Sequence, residues 1–339
     1  MNPLLSFEGM VTRSFVARWR SPSNIAFVKY WGKIGHQLPA NPSLSMTLKE
    51  CYTESEVTFT PSEEMNVELY LDGKKEDKFS AKIEKYLRSL PLPWLTKVSY
   101  KIETRNTFPH GTGIASSASG LSAFALCLTD YLFHLKEVEE NFFETASFLS
   151  RLASGSACRS VYGGFSSWGE TSDDFASPLE VHPEMMSLRD SVLVVSSEEK
   201  SVSSTSGHGQ MGGHFFAQSR FEQAKVNYLK MKGALQSGDL ETVGVILERE
   251  ALSLHAMMLT SPDSYILLRP QTLTAIDMIR SFRQETKLPL YFTLDAGPNL
   301  HLIYPESYQE KIKTFINHEL SPIAQKVIDD ERGEGPARC

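Results

Sequence analysis

The stretch "FPHGTGIASSASGLSAFALCLTD", Phe108 to Asp130, decides how the chain is read. Its first half has almost no large side chains, and its second half carries apolar residues at helical spacing. The first N–H groups of a helix lack intrahelical partners and carry partial positive charge, so a Gly/Ser-rich approach lets an anion reach the backbone. Gly111, Gly113 and Ala115 leave room for that approach, and Ser116, Ser117 and Ser119 add hydroxyl donors. A polyphosphate is one occupant that fits. The other reading is a small-residue face packed tightly on a neighbour. No G-x-x-x-x-G-K-[ST] run occurs, which excludes a Walker-type loop as the source of the site.

Upstream, "YTESEVTFT", "NVELYLDG" and "KVSYKIETR" alternate and are rich in β-branched residues, which predicts strands. Downstream, Leu121 to Leu135 and Asn141 to Leu152 predict helices, and "SVLVVSS" from Ser191 predicts a buried strand. A Ser/Gly-rich loop, "SVSSTSGHGQMGG", then leads into helical patterns at Phe216 to Ser237, Leu240 to Met258 and Gln271 to Thr286. Two apolar runs separated by a turn follow in "LPLYFTLDAGPNLHLIYP". The class is α+β. A length of 339 residues favours two domains, placed at 1–195 and 196–339.

Hydrophobic residues at 41% and charged residues at 22% fit a globular protein. No stretch has the ~18 consecutive apolar residues of a membrane span, so no membrane partner is expected. A net charge of −7 argues against a broad nucleic-acid footprint. An anionic small substrate requires only that cations gather locally. Cys51, Cys127, Cys158 and Cys339 have neither metal-ligand spacing nor the density of a disulfide scaffold. With no signal-peptide pattern at the start, a cytoplasmic location is expected.

The order P-x-x-x-G-[LI]-[GA]-S-S-A is filled by Pro109, Gly113, Ile114, Ala115, Ser116, Ser117 and Ala118. This resembles the phosphate loop of the GHMP kinase superfamily, and "ASSASG" is similar to its mevalonate diphosphate decarboxylase branch. Three further runs carry the same resemblance. They are N-I-A-x-x-K-Y-W-G-K with N-x-S-L-S-x-T-L over Asn24 to Leu48, S-G-S-A-x-R-S-x-x-G-G-F from Ser154, and D-A-G-P-N from Asp295. Alone, Lys29 and Lys33 could be a solvated face, Arg159 a surface ion pair, and Asp295 a turn-former.

The resemblance implies a ribosomal-protein-S5-type N-terminal domain and a ferredoxin-like C-terminal domain with the site between them. The implied activity is ATP-dependent decarboxylation of (R)-mevalonate 5-diphosphate to isopentenyl diphosphate, with ATP and Mg²⁺ as cofactors. Asp295, Lys29, Arg159 and Ser117 are then catalytic. Asn24, Tyr30, Lys33, Ser154, Ser156, Arg159 and Ser204 bind substrate, with Tyr30 and Lys33 at its terminal phosphates. Gly111, Gly113, Ala115, Ser116, Ser117, Ala118 and Ser119 hold the nucleotide. A homodimer is also implied.

Two segments depart from the family pattern. His208-Gly209-Gln210 stands before Met211 as an insertion, and His110-Gly111-Thr112 replaces the usual residues of the phosphate loop. The alternatives are a mevalonate 5-phosphate decarboxylase, a GHMP small-molecule kinase, or a silent metabolite-binding protein.

Overall fold

In the computed structural model, residues 13–108, 115–136, 141–198 and 201–339 are described. Among them an eight-stranded sheet and a four-stranded sheet organise the chain. The helices are α1 (Asp77–Ser89), α2 (Ser116–Lys136), α3 (Phe142–Ala153), α4 (Ser204–Gln210), α5 (Ala217–Ser237), α6 (Leu240–Leu259), α7 (Pro270–Thr286) and α8 (Gln309–Phe315).

The first sheet is built on two long antiparallel strands, Phe15–Val28 and Ser43–Pro61. Strand Val98–Asn106 pairs with the second of these, and Asn66–Leu71 joins it in parallel. The first long strand alternates buried and exposed at its start and is buried throughout from Ser21 to Val28. The change marks where its outer face stops meeting water and meets the second half of the chain. Register shifts between Pro22 and Asn24 and between Ala26 and Val28 bend it there. On the other face, α2 and α3 bury Phe124, Leu128, Tyr131 and Leu149 against Val57, Phe59 and Tyr100. Each such side chain contributes about 1.5–3 kcal/mol of burial. The apolarity of α2 is therefore accounted for by packing, although the helix is long and apolar enough to cross a membrane.

The second sheet runs in the order Tyr291–Thr293, Leu300–Pro305, Leu188–Val194, Lys326–Glu331, all antiparallel. One face packs with α5 and α6 against the first long strands, through Val192, Ile303, Tyr228, Leu247, Ile25 and Phe27. The other face meets α7 and α8 through Leu193, Phe292, Ile276 and Ile312.

Two sequence expectations change. Strand Leu188–Val194 was expected to close the first domain, but it pairs centrally in the second sheet. The passage from sheet to sheet thus falls between Pro178 and Leu188, ahead of residue 195. The Ser/Gly-rich run from Ser201 is not all loop: Ser203 caps α4, its hydroxyl accepting from the Ser206 N–H.

Candidate active site

Lys29 stands just past the buried end of the first long strand, and its main chain is held on both sides. Its N–H donates to Glu250 Oε2 at 2.9 Å, and its carbonyl accepts from Asn41 Nδ2 at 3.0 Å. Glu250 is itself fixed by Arg220, whose Nη2 lies 2.6 Å away, and by Asn227 Nδ2 at 2.7 Å. With the backbone immobilised, Lys29 Nζ reaches Asp295 Oδ1 at 2.9 Å. Asp295 follows strand Tyr291–Thr293 in a turn flanked by buried Leu294 and Ala296. His255 from α6 donates from Nε2 to the Asp295 carbonyl at 3.1 Å, which sets the tautomer.

Burial favours the neutral form of both partners. It lowers the Lys29 pKa against the opposing pull of Asp295 and Glu250. At Asp295 burial acts upward, but Lys29, His301 and Arg159 outweigh it and hold the carboxyl below its usual range. The Asp295 side chain is 24% exposed while that of Lys29 is 2%. The carboxylate is therefore the member of the pair open to a ligand.

Arg159 lies in the tight turn Gly155–Val161 that follows α3, and it is buried. Its Nη1 donates to Ser43 Oγ at 2.5 Å, and its Nε and Nη2 donate to Asn24 Oδ1 at 3.4 and 3.3 Å. Asn24 in turn donates to Ser160 Oγ at 2.7 Å. Asn24, expected to bind substrate, thus sits behind the guanidinium and orients it. Burial lowers the Arg159 pKa, with Asp295 among the groups acting the other way. All three guanidinium nitrogens are engaged, so the planar cation meets the cavity in a fixed orientation, and its geometry suits a carboxylate.

Next to Arg159, Tyr30 is buried with its hydroxyl unpartnered. Burial raises its pKa strongly, so it is a neutral donor. Gly155 permits this placement, since a Cβ there would lie 2.6 Å from Tyr30 Oη. Lys33 stands three residues on, its pKa lowered by burial and by the ammonium of Lys82.

At the opposite end α2 begins. Ala115 adopts φ 48°, a left-handed conformation costly for a residue with a Cβ. Ser116, Ser117 and Gly120 face the cavity from this helix end. Ala118 and Ser119 do not: both are fully buried, and Ser119 Oγ lies 2.7 Å from Thr53 Oγ1. These two expected nucleotide contacts belong to packing against the sheet. Gly111 and Gly113 fall outside the described residues.

One cavity of about 430 Å³ joins these parts. Lys29, Tyr30, Lys33, Ala115, Ser116, Ser117, Ser154, Ser156, Arg159, Ser204 and Asp295 all line it. Its far end is apolar, walled by Leu69, Leu71, Phe79, Ile83 and Ile102 with Lys82, Thr104 and Asn106 at its polar edge. That compartment suits a nucleobase and ribose, and no local motif announced it. Among the described residues no cluster of three His, Cys, Asp or Glu side chains is placed to hold a metal. A magnesium ion suits this site only as the partner of nucleotide phosphates, with hydroxyl and water ligands completing its shell.

The two sheets, and the cavity onto which the start of α2 opens, define a two-domain GHMP kinase fold. The diphosphomevalonate decarboxylase-like N-terminal domain matches residues 21–178, and the mevalonate 5-diphosphate decarboxylase C-terminal domain matches residues 191–335. The diphosphomevalonate decarboxylase of Candida albicans is 32% identical, covering 87% of this chain and 86% of its own. That of Danio rerio is also 32% identical, covering 94% and 82%. Among solved structures, mevalonate diphosphate decarboxylase from Staphylococcus aureus superposes with a TM-score of 0.86 at 29% identity, over 96% of this chain and 98% of that one. A complex of MDDEF with MVAPP, AMPPCP and magnesium gives 0.86 at 30% identity, over 96% and 99%. The chain belongs to the diphosphomevalonate decarboxylase family.

Proposed function

We propose that the cavity converts (R)-mevalonate 5-diphosphate and ATP to isopentenyl diphosphate, ADP, phosphate and carbon dioxide. The carrying observation is that the Lys29–Asp295 pair and the Ser117 end of α2 open onto the same cavity. A small molecule between them touches both.

A tertiary alcohol is a poor leaving group, and phosphorylation makes it a good one. The nucleoside lies in the apolar compartment, its phosphates at Ser116 and Ser117. Ser116 and Ser117 would offer hydroxyl ligands to a magnesium ion carried in with the nucleotide, which would supply positive charge at the transferring group. The ionised Asp295 accepts a hydrogen bond from the C3 hydroxyl and aims its oxygen in line with the γ-phosphorus. A carboxylate of depressed pKa is a weak base, so its first task is orientation; the proton passes to it as the O–P bond forms and the alcohol acidifies. Lys29 offsets the negative charge that gathers at this oxygen.

The C3–O bond then breaks and phosphate departs with its electron pair. The bond from the neighbouring carbon to the carboxylate supplies electrons to C3, carbon dioxide leaves, and the double bond forms. Arg159 fixes the carboxylate in the plane this elimination needs. Tyr30, Lys33, Ser154 and Ser156 take the diphosphate. Residence in a reducing compartment, the cytoplasm, and pairing as a homodimer complete the reading; unpaired thiols at Cys51, Cys127, Cys158 and Cys339 fit the first.

The test is incubation with ATP and either the mono- or the diphosphate of mevalonate while recording released gas. Carbon dioxide from the diphosphate at stoichiometric ATP consumption is expected. A stable phosphorylated product without gas would make the protein a kinase.

A further inference from the structure

Helix α4 reaches the Tyr30–Lys33 segment through His208. The imidazole Nδ1 accepts a hydrogen bond from the Gly32 N–H at 3.0 Å. Its ring centroid lies 4.5 Å from that of Tyr30 and 4.5 Å from that of Trp31, tilted by 43° and 34°. A nitrogen that accepts carries no proton, so the neutral ring is protonated on Nε2. The surrounding fit is close. A Cβ at Gly207 would lie 2.6 Å from Trp31 Cζ2, which places the α4 backbone directly on the indole. Gly32 adopts φ +106°, and a Cβ there would stand 2.7 Å from the Phe221 ring. The chain turns at Gly32 between Tyr30 and Lys33, and a glycine in that conformation has the freedom to turn elsewhere.

We infer that His208 is a positioning residue for the phosphate end of the substrate pocket: by holding the Gly32 amide and both flanking rings, it fixes where the Tyr30 hydroxyl and the Lys33 ammonium point. The inference rests on the reading of Tyr30 and Lys33 as the groups that hold the substrate's phosphates. It gives a role to the first residue of the His208-Gly209-Gln210 run, which the sequence reading left without one. Pre-set donors bind an anion without first losing conformational freedom, so the effect belongs in substrate affinity. ATP, seated at the α2 end, should not register it.

The experiment compares His208→Ala, His208→Phe and His208→Asn in three measurements: KM for mevalonate 5-diphosphate, KM for ATP, and Kd for inorganic pyrophosphate in the full chain. His208→Ala should raise the first and third about tenfold, the scale of one hydrogen bond plus ring contacts, and leave the ATP value and the melting temperature near wild type. His208→Asn returns an acceptor to the Gly32 amide and should recover much of the loss. His208→Phe keeps ring contact without the acceptor and should not. Unaltered pyrophosphate affinity in His208→Ala overturns the inference, as do equal losses for ATP and pyrophosphate with a lowered melting temperature. If wild-type protein releases no carbon dioxide, the proposed reaction fails, while the pyrophosphate series still reads His208.

Discussion

Lys29 Nζ and Asp295 Oδ1 are 2.9 Å apart although 266 residues separate them in the chain, and the lysine is the buried member of the pair. Asp295→Asn keeps the shape but removes the charge and the proton acceptor, so kcat should fall by about 10²–10⁴ with substrate affinity largely retained. Lys29→Met removes the largest influence lowering the Asp295 pKa and leaves burial to raise it. The acid limb of the kcat/KM profile should therefore move to higher pH. Carbon dioxide release measured across pH checks both, and an unmoved limb would show that Asp295 does not govern it.

Arg159 donates through Nη1 to Ser43 and through Nε and Nη2 to Asn24, so its guanidinium is set rather than searching. Arg159→Gln loses the fork and should reduce turnover by about 10²-fold or more. Asn24→Ala removes only the brace and should cost less. Steady-state kinetics with both variants rank them; equal losses would mean that Asn24 touches the substrate itself.

Gly155 has an ordinary backbone role in a turn and a second one against Tyr30. Because an added methyl would stand 2.6 Å from the hydroxyl and 2.8 Å from the ring, Gly155→Ala must displace the tyrosine. The expected outcome is a KM for mevalonate 5-diphosphate raised about tenfold, the scale of one mispositioned hydrogen bond to a charged group. Thermal melting of the same variant should also fall, by the equivalent of about 1–3 kcal/mol of overpacking.

Glu250 is buried with Arg220 and accepts from the Lys29 N–H as well. Glu250→Ala strands the guanidinium and should cost about 3–5 kcal/mol, read as a lowered melting temperature. The paired replacement Arg220→Met with Glu250→Leu removes both charges and should recover much of that stability. It should not recover turnover, because the Lys29 amide still lacks its acceptor. Recovery of full activity would reduce the Glu250 contact to packing alone.

The residues that the cavity brings together were legible because each lies in a short ordered run: Lys29 in the lysine-tyrosine-tryptophan stretch, Ser117 before an apolar helix, Arg159 and Asp295 in tight turns. Glu250 was not. In sequence it stands in "LEREA", which reads as the charged face of a helix, and its meaning comes from an N–H 221 positions away. His255 was hidden in the same way, and Asn24 was read as a ligand contact because a motif gives membership without direction. Strand Leu188–Val194 was recognised but misassigned to the first domain, since its partners, Leu300–Pro305 and Lys326–Glu331, come more than a hundred residues later. Helical spacing and alternation report local structure; pairing between distant strands leaves no local mark.

His255 offers the plainest pH test of the fold around Asp295. Burial lowers its pKa to about 4, assisted by Lys29 and opposed by the carbonyl and carboxylate of Asp295. In the folded protein it is therefore neutral between about pH 4 and pH 6.5, whereas in the unfolded chain it takes up a proton across that range. Proton uptake by the unfolded state favours unfolding, so stability from this residue is full above pH 6.5 and declines as pH falls toward 4, by about 3 kcal/mol in all. His255→Gln can still donate to the Asp295 carbonyl but does not titrate. Urea unfolding followed from pH 7 to pH 4 should show a shallower loss for the variant than for wild type. Parallel curves would mean that His255 is protonated in the folded state, which would require an acceptor other than the backbone of Asp295.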